Sequence, residues 1–139
     1  MTAAAGGKID VSDLWIPTYV QEVSDTSTIT TTETVVGTLT FAATNTAVYE
    51  TRWSPKTLQS VAGDYFLYQI REDSVSGTIL DAWGFSNGTA TFSQQRTIFL
   101  HYTASASGTK SLVITLSRLS GSGNIIRNAK SNYLVRRSA

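Results

Sequence analysis

Gly63-Asp64-Tyr65-Phe66-Leu67-Tyr68-Gln69-Ile70-Arg71-Glu72-Asp73, then Ser74-Val75-Ser76-Gly77, then Thr78-Ile79-Leu80-Asp81-Ala82-Trp83, is the stretch from which the fold can be read. In its first arm Phe66, Tyr68 and Ile70 share one face at the two-residue period of a strand, and Tyr65, Leu67, Gln69 and Arg71 share the other. The apolar residues stop at Arg71-Glu72-Asp73, where Ser74 to Gly77 supply a loop with a glycine free to take a positive φ. The second arm returns through Ile79 and Trp83. The segment therefore reads as a β-hairpin whose first arm is a half-buried strand near the middle of a sheet.

The flanking sequence keeps the same two-residue period. Tyr19 to Val23 is a candidate strand, and Ser24 to Thr34, dominated by Ser, Thr and acidic residues, is a loop or polar edge. In the next strand Val35, Leu39 and Phe41 face one way around Gly37, and Val36, Thr38 and Thr40 face the other. Asn45-Thr46 turns the chain into Ala47 to Ser54, with Tyr49, Thr51 and Trp53 inward, and Pro55 ends that strand because it has no N–H for the ladder. Lys56 to Ala62 reads as a connector. Beyond the hairpin, Asn87-Gly88 is a tight-turn dipeptide. Arg96 to Tyr102 places Ile98, Leu100 and Tyr102 opposite Phe99 and His101, and Ala104 to Thr109 is a small-residue loop. Ser111 to Leu119 alternates Leu112, Ile114 and Leu116 against Val113, Thr115 and Ser117. Gly121-Ser122-Gly123 turns into a short strand at Ile125-Ile126, and Asn132 to Arg137, with Tyr133 and Val135, is the last. About eight short strands with no helical period predict an all-β antiparallel sandwich, with a jelly roll the first choice of topology.

The 139 residues suit one domain with one core. Met1 to Gly7 is small, uncharged and glycine-containing, so it is expected to be an extended arm rather than a core element. Residues 1–16 are thus read as arm and junction, and 17–139 as the sandwich. Pro17 stops any helix within a turn, and the dense apolar group Leu14, Trp15 and Ile16 suits either a plug over one end of the core or an anchor on another protein. No apolar run approaches the roughly 18 residues of a membrane span, and the N-terminus lacks the pattern of a signal peptide, so a soluble protein without a cleaved signal is expected.

The net charge of +1 hides a split. Residues 1–81 carry four basic residues against all ten acidic ones, a balance of −6, whereas residues 82–139 carry seven basic residues and no acid, +7. Either the two halves interleave and the charges mix in space, or a charged partner surface is present. Arg127, Lys130, Arg136 and Arg137, with Arg118, make the C-terminal end basic. Nucleic-acid binding is disfavoured, because only Tyr133 lies among them as a stacking aromatic.

Chemistry is hard to assemble from this sequence. No Cys is present, so a disulfide framework and a cysteine zinc site are excluded. No P-loop, dinucleotide fingerprint or zincin motif occurs, and no cofactor or metal is expected. His101 is the single histidine, more consistent with a structural hydrogen bond than with catalysis. Glu72 and Asp73 are adjacent and would point to opposite faces of a strand, and Glu50 with Asp81 is the remaining carboxylate pair a small cell-wall hydrolase could use. Trp53 and Trp83 are the candidates for a glycan-binding surface, against a core role. Asn87-Gly88-Thr89 matches the glycosylation sequon but is read as a turn.

Three stretches carry a resemblance: Gly7-Lys8-Ile9-Asp10-Val11-Ser12-Asp13-Leu14, the Ile70-Arg71-Glu72-Asp73-Ser74-Val75-Ser76-Gly77-Thr78 hairpin, and Tyr102-Thr103-Ala104 through Gly108. Together they resemble small β-sandwich virion proteins of tailed bacteriophages, particularly those infecting actinobacteria, which occur as head decorations and as tail appendages. The chain lacks the collagen-like, coiled-coil or β-helical extensions of the tail pattern, and it carries Arg136-Arg137-Ser138-Ala139 where related chains tend to end acidic. The resemblance implies a non-enzymatic capsid decoration protein on the virion exterior, made in the host cytoplasm, that binds the major capsid protein and itself, with a trimer favoured. The tail-tip or fibre module binding host glycans is the alternative. Lys8, Ile9, Leu14, Trp15 and Ile16 are the expected attachment residues, and Arg127, Lys130, Arg136 and Arg137 the second choice.

Overall fold

The computed structural model describes residues 15–91 and 93–138. Its strands are β1 (Thr18–Gln21), β2 (Thr34–Ala43), β3 (Val48–Ser54), β4 (Lys56–Gln59), β5 (Tyr65–Glu72), β6 (Ile79–Ser86), β7 (Ser93–Gln95), β8 (Ile98–Thr103), β9 (Gly108–Ser120), β10 (Ile125–Arg127) and β11 (Asn132–Arg137). No helix occurs among the described residues. The hairpin that opened the reading is β5–β6: Phe66, Tyr68 and Ile70 are buried, and Tyr68 stacks on Trp83 and Phe85 at centroid distances of 5.2 and 5.1 Å. A bulge between Ile70 and Arg71 shifts the far end of the second arm, and Ile79 is left 48% exposed. The loop also differs from expectation. The positive φ falls on Asp73, while Gly77 is needed because a Cβ there would run into the Glu72 carbonyl.

Two four-stranded sheets, β1-β11-β3-β8 and β2-β9-β5-β6, form the sandwich. Among these eight strands the outermost in sequence pair first with last: β1 with β11, β2 with β9, β3 with β8, and β5 with β6. That is a long hairpin rolled up on itself, the jelly roll. The remaining three strands make a small sheet, β10-β4-β7. They repeat the order β11-β3-β8 one level further on, past a break at Pro55, where the Lys56 N–H donates to Ser131 Oγ at 2.8 Å. Proline's missing donor interrupts the ladder without ending the path of the chain. Lys56–Gln59, expected as a connector, is therefore a strand, with polar Thr57 and Gln59 as its buried residues.

The core lies between the two large sheets. Tyr49, Thr51, Trp53, Tyr133 and Val135 come from one, and Leu39, Phe66, Ile70, Leu112, Ile114 and Leu116 from the other, all 0% exposed. A bulge in β2 between Val35 and Gly37 reverses the expected phase: Val36 joins Leu39 and Phe41 inside, and Val35 lies outside. Gly37 sits directly beneath the Tyr133 ring, where a Cβ would collide with it. Ile29, in the run read as a polar loop, is 2% exposed and bridges to Ile125. Asn87-Gly88 is no hairpin turn, because the strands it joins belong to different sheets. The alternation in β9 is real, yet Val113, Thr115 and Ser117 on its outer face are buried too.

Candidate interaction surface

Of the attachment residues, Lys8, Ile9 and Leu14 and the Met1 to Gly7 arm lie outside the described residues. Trp15 is half-buried against the sandwich: its ring meets Tyr49 at 5.4 Å and Phe41 edge-on at 6.3 Å, and its Nε1 donates to Ala42 O at 3.2 Å. This is the plug over the core. Ile16 next to it is 81% exposed, and Tyr19 and Val23 along the same edge are 54% and 89% exposed. The junction thus presents an apolar rim. Because β1 runs antiparallel to β11 with Thr18 beside Val135, the Ile16 end of this rim emerges next to Arg136-Arg137, and the Val23 end lies by Lys130 at the other end of β11.

The four C-terminal basic residues do not form one surface. Arg127 is buried: its guanidinium donates to Ser24 O at 2.7 Å and to Asn128 O at 3.4 Å and lies 3.7 Å from Glu22. It pins the Ser-rich segment to β10 and is withdrawn from any contact with a partner. Arg136 is exposed but chelates Glu50 Oε2 through Nε at 2.7 Å and Nη2 at 2.6 Å. Lys130 and Arg137 are exposed. With Lys110 bridging Glu72 and Asp73 at 2.8 and 3.1 Å, three late basic residues pair with early acids inside one chain. For three of the seven late basic residues the charge split of the sequence is thus an interleaving in space.

One further network covers the outside of the β2-β9-β5-β6 sheet. Arg71 forms a fork onto both Glu33 oxygens at 2.7 and 3.0 Å and also reaches Gln69 Oε1, while the Thr115 hydroxyl donates to Glu33 Oε1 at 2.6 Å. Burial alone would raise the Glu33 carboxyl, but the bonds from Arg71 and Thr115 and the Arg71 charge outweigh it and hold the carboxyl below its ordinary value.

The other candidates are not brought together. Glu50 stands on the outer face of β3 and Asp81 on β6 of the opposite sheet, where Asp81 Oδ1 accepts from the Ala82 N–H, so they form no carboxylate pair. Trp53 is fully buried with its Nε1 on Thr51 Oγ1 at 2.8 Å, and Trp83 is half-buried on Tyr68, so neither offers a glycan platform. His101 is exposed on β8, opposite Glu50.

What the sequence reading missed is a row across the outer face of β1-β11-β3-β8. The register aligns Tyr19, Leu134, Arg52 and Phe99 on successive strands. At about 4.8 Å per strand this row spans about 14 Å. Phe99 is 65% exposed, and with Glu50, Arg52, Leu134 and Arg136 it lines a shallow pocket of about 170 Å3. The alternation that made Phe99 an outward residue was legible, but which strands stand beside β8 was not.

No family model matches the chain, and no curated protein matches it at the level of sequence. Solved structures do. The VP2 protein of infectious bursal disease virus in a subviral particle superposes with a TM-score of 0.56 at 11% identity over 86% of this chain, and the Gx strain of that virus with 0.55 at 13% over 87%. This chain spans about a third of the length of those viral chains, 32% in both cases. A family 6 carbohydrate-binding module superposes at only 0.44, with 19% identity, over 87% of this chain and 94% of that one, too loose to bear on function. The likeness to VP2 shows a shared sandwich fold.

Proposed function

We propose that the protein is a non-enzymatic virion structural protein of a tailed bacteriophage, a capsid decoration that binds the major capsid protein lattice and stabilises the head. The observation that carries this reading is the rolled-hairpin sandwich, which is shared over 86% of the chain with VP2, a protein solved as a subviral particle. The bacteriophage assignment and the decoration role rest in addition on the resemblance of the arm, hairpin and loop segments. The main attachment segment lies within residues 1–16, apart from Trp15, which packs on its own core. The Ile16, Tyr19 and Val23 rim supports this, since an exposed apolar edge beside a glycine-containing arm suits close backbone approach. The protein acts as a homo-oligomer, a trimer at local three-fold positions. Antibody labelling of purified virions separates this from the tail alternative: signal over the head surface is expected, and signal confined to tail tips would sink the decoration reading.

A further inference from the structure

We propose that the pocket between β3, β8 and β11 is a saccharide subsite, independent of the attachment segment. The pocket holds three kinds of group within one ring's reach. Phe99 and Leu134 supply an apolar wall, with the Phe99 ring 65% exposed on a strand rather than on a loop. Glu50 gives Oε2 to Arg136 and keeps Oε1 as an acceptor with no donor among the described residues. Arg52, between Leu134 and Phe99 in register, makes one long bond among the described residues, 3.4 Å from Nη2 to Asn132 Oδ1; its Nε is buried, and its Nη1 has no acceptor among the described residues and is the nitrogen left to donate into the pocket.

This combination discriminates among ligands. A simple anion would meet the Glu50 carboxylate, a cation would meet two guanidiniums, and a purely apolar group would strip water from three charges without replacing their hydrogen bonds. A pyranose offers what the pocket lacks: neighbouring hydroxyls that each donate and accept, and a C–H face that lies on an aromatic ring. At about 170 Å3 the pocket is smaller than the roughly 300–1,000 Å3 that takes a drug-sized ligand. The subsite therefore takes one sugar ring. Placement on three paired strands means the groups are fixed before binding, which lowers the ordering cost. Affinity for a single ring is set by few contacts and falls on the order of millimolar.

The test is a titration of isotope-labelled full-length protein, followed by amide chemical shifts, with glucose, galactose, N-acetylglucosamine, rhamnose and arabinose as the probes. At least one is expected to move signals clustered at Glu50, Arg52, Phe99 and Leu134. Phe99→Ala, at an exposed position, should keep the remaining spectrum and weaken binding roughly two- to tenfold. Glu50→Gln, which keeps the shape but changes the hydrogen bonding, should weaken it as well. No clustered shifts with any of the five sugars overturns the subsite. So do shifts that Phe99→Ala leaves unchanged, and the same shifts appearing on raising protein concentration without sugar, which would mark the face as a contact between copies. None of these outcomes alters the labelling result on virions, so the two readings fail separately.

Discussion

Glu33 shows how a single residue can hold the outside of a sheet. Its carboxylate accepts the Arg71 fork and the Thr115 hydroxyl above β9, whose outer residues Val113 and Thr115 are 4% and 0% exposed. The carboxyl is depressed in the folded state, so its contribution is present above its ordinary value of 4.5 and is lost as the pH falls through the lowered one. Glu33→Gln should therefore destabilise by about 1–2 kcal/mol at neutral pH. The gap between variant and parent should close on acidification, and denaturant melts at several pH values would show it. A gap that persists unchanged at low pH would mean that the packing of the side chain matters rather than its charge. Three of the buried phenols behave in the opposite sense. Burial pushes Tyr68, Tyr102 and Tyr133 above their ordinary value, so stability falls as the pH rises beyond about 10, where an unfolded tyrosine ionises.

At the scale of elements, the junction separates folding from attachment. Trp15 fills the end of the core against Phe41 and Tyr49, so Trp15→Ala should cost about 1–2 kcal/mol and lower the Tm of the free domain. Deleting Met1 to Gly7 should leave that Tm unchanged and reduce occupancy on particles. If the deleted protein occupies particles as fully as the parent, attachment lies on a sandwich face instead. The same scale explains what the sequence made legible. In β5, β8 and β11 every second residue is apolar (Phe66, Tyr68 and Ile70; Ile98, Leu100 and Tyr102; Tyr133 and Val135), so their inward faces follow from the period. β4 hides because its inward residues, Thr57 and Gln59, are polar and because Pro55 resembles a terminus rather than an interruption. β2 misleads because one extra residue between Val35 and Gly37 breaks the period there, so that Val36 rather than Val35 shares the inward face of Leu39 and Phe41, and the need for Gly37 beneath Tyr133 is visible only once β11 is placed. The pocket at Phe99 stayed hidden for the same reason, since its walls come from residues 50, 52, 99, 134 and 136.

For the whole molecule, the charge pairing sets limits on assembly. Arg136 with Glu50, Lys110 with Glu72 and Asp73, and Arg127 with Glu22 are satisfied within the chain, which leaves exposed Arg96, Lys130 and Arg137 as the late basic residues suited to meet another copy. Contacts of this kind orient more than they stabilise and are screened by salt. Light scattering should find the proposed trimer at low ionic strength and less of it at high. A monomer under both conditions would mean that the oligomer exists only on the capsid lattice.

The pairing of first strand with last also governs how the protein is made. β11 lies inside its sheet, between β1 and β3, so β1 has no neighbour in that sheet until residues 132–137 have left the ribosome. Every partial chain carries β1 with an unsatisfied edge and an open side to the core. Such closure, which spans more than a hundred residues of sequence, is slow compared with local pairing. The nascent protein is therefore at its most aggregation-prone just before β11 emerges, and a chaperone that shields the side of β1 later paired by β11 would act on a state that the folded sandwich does not show.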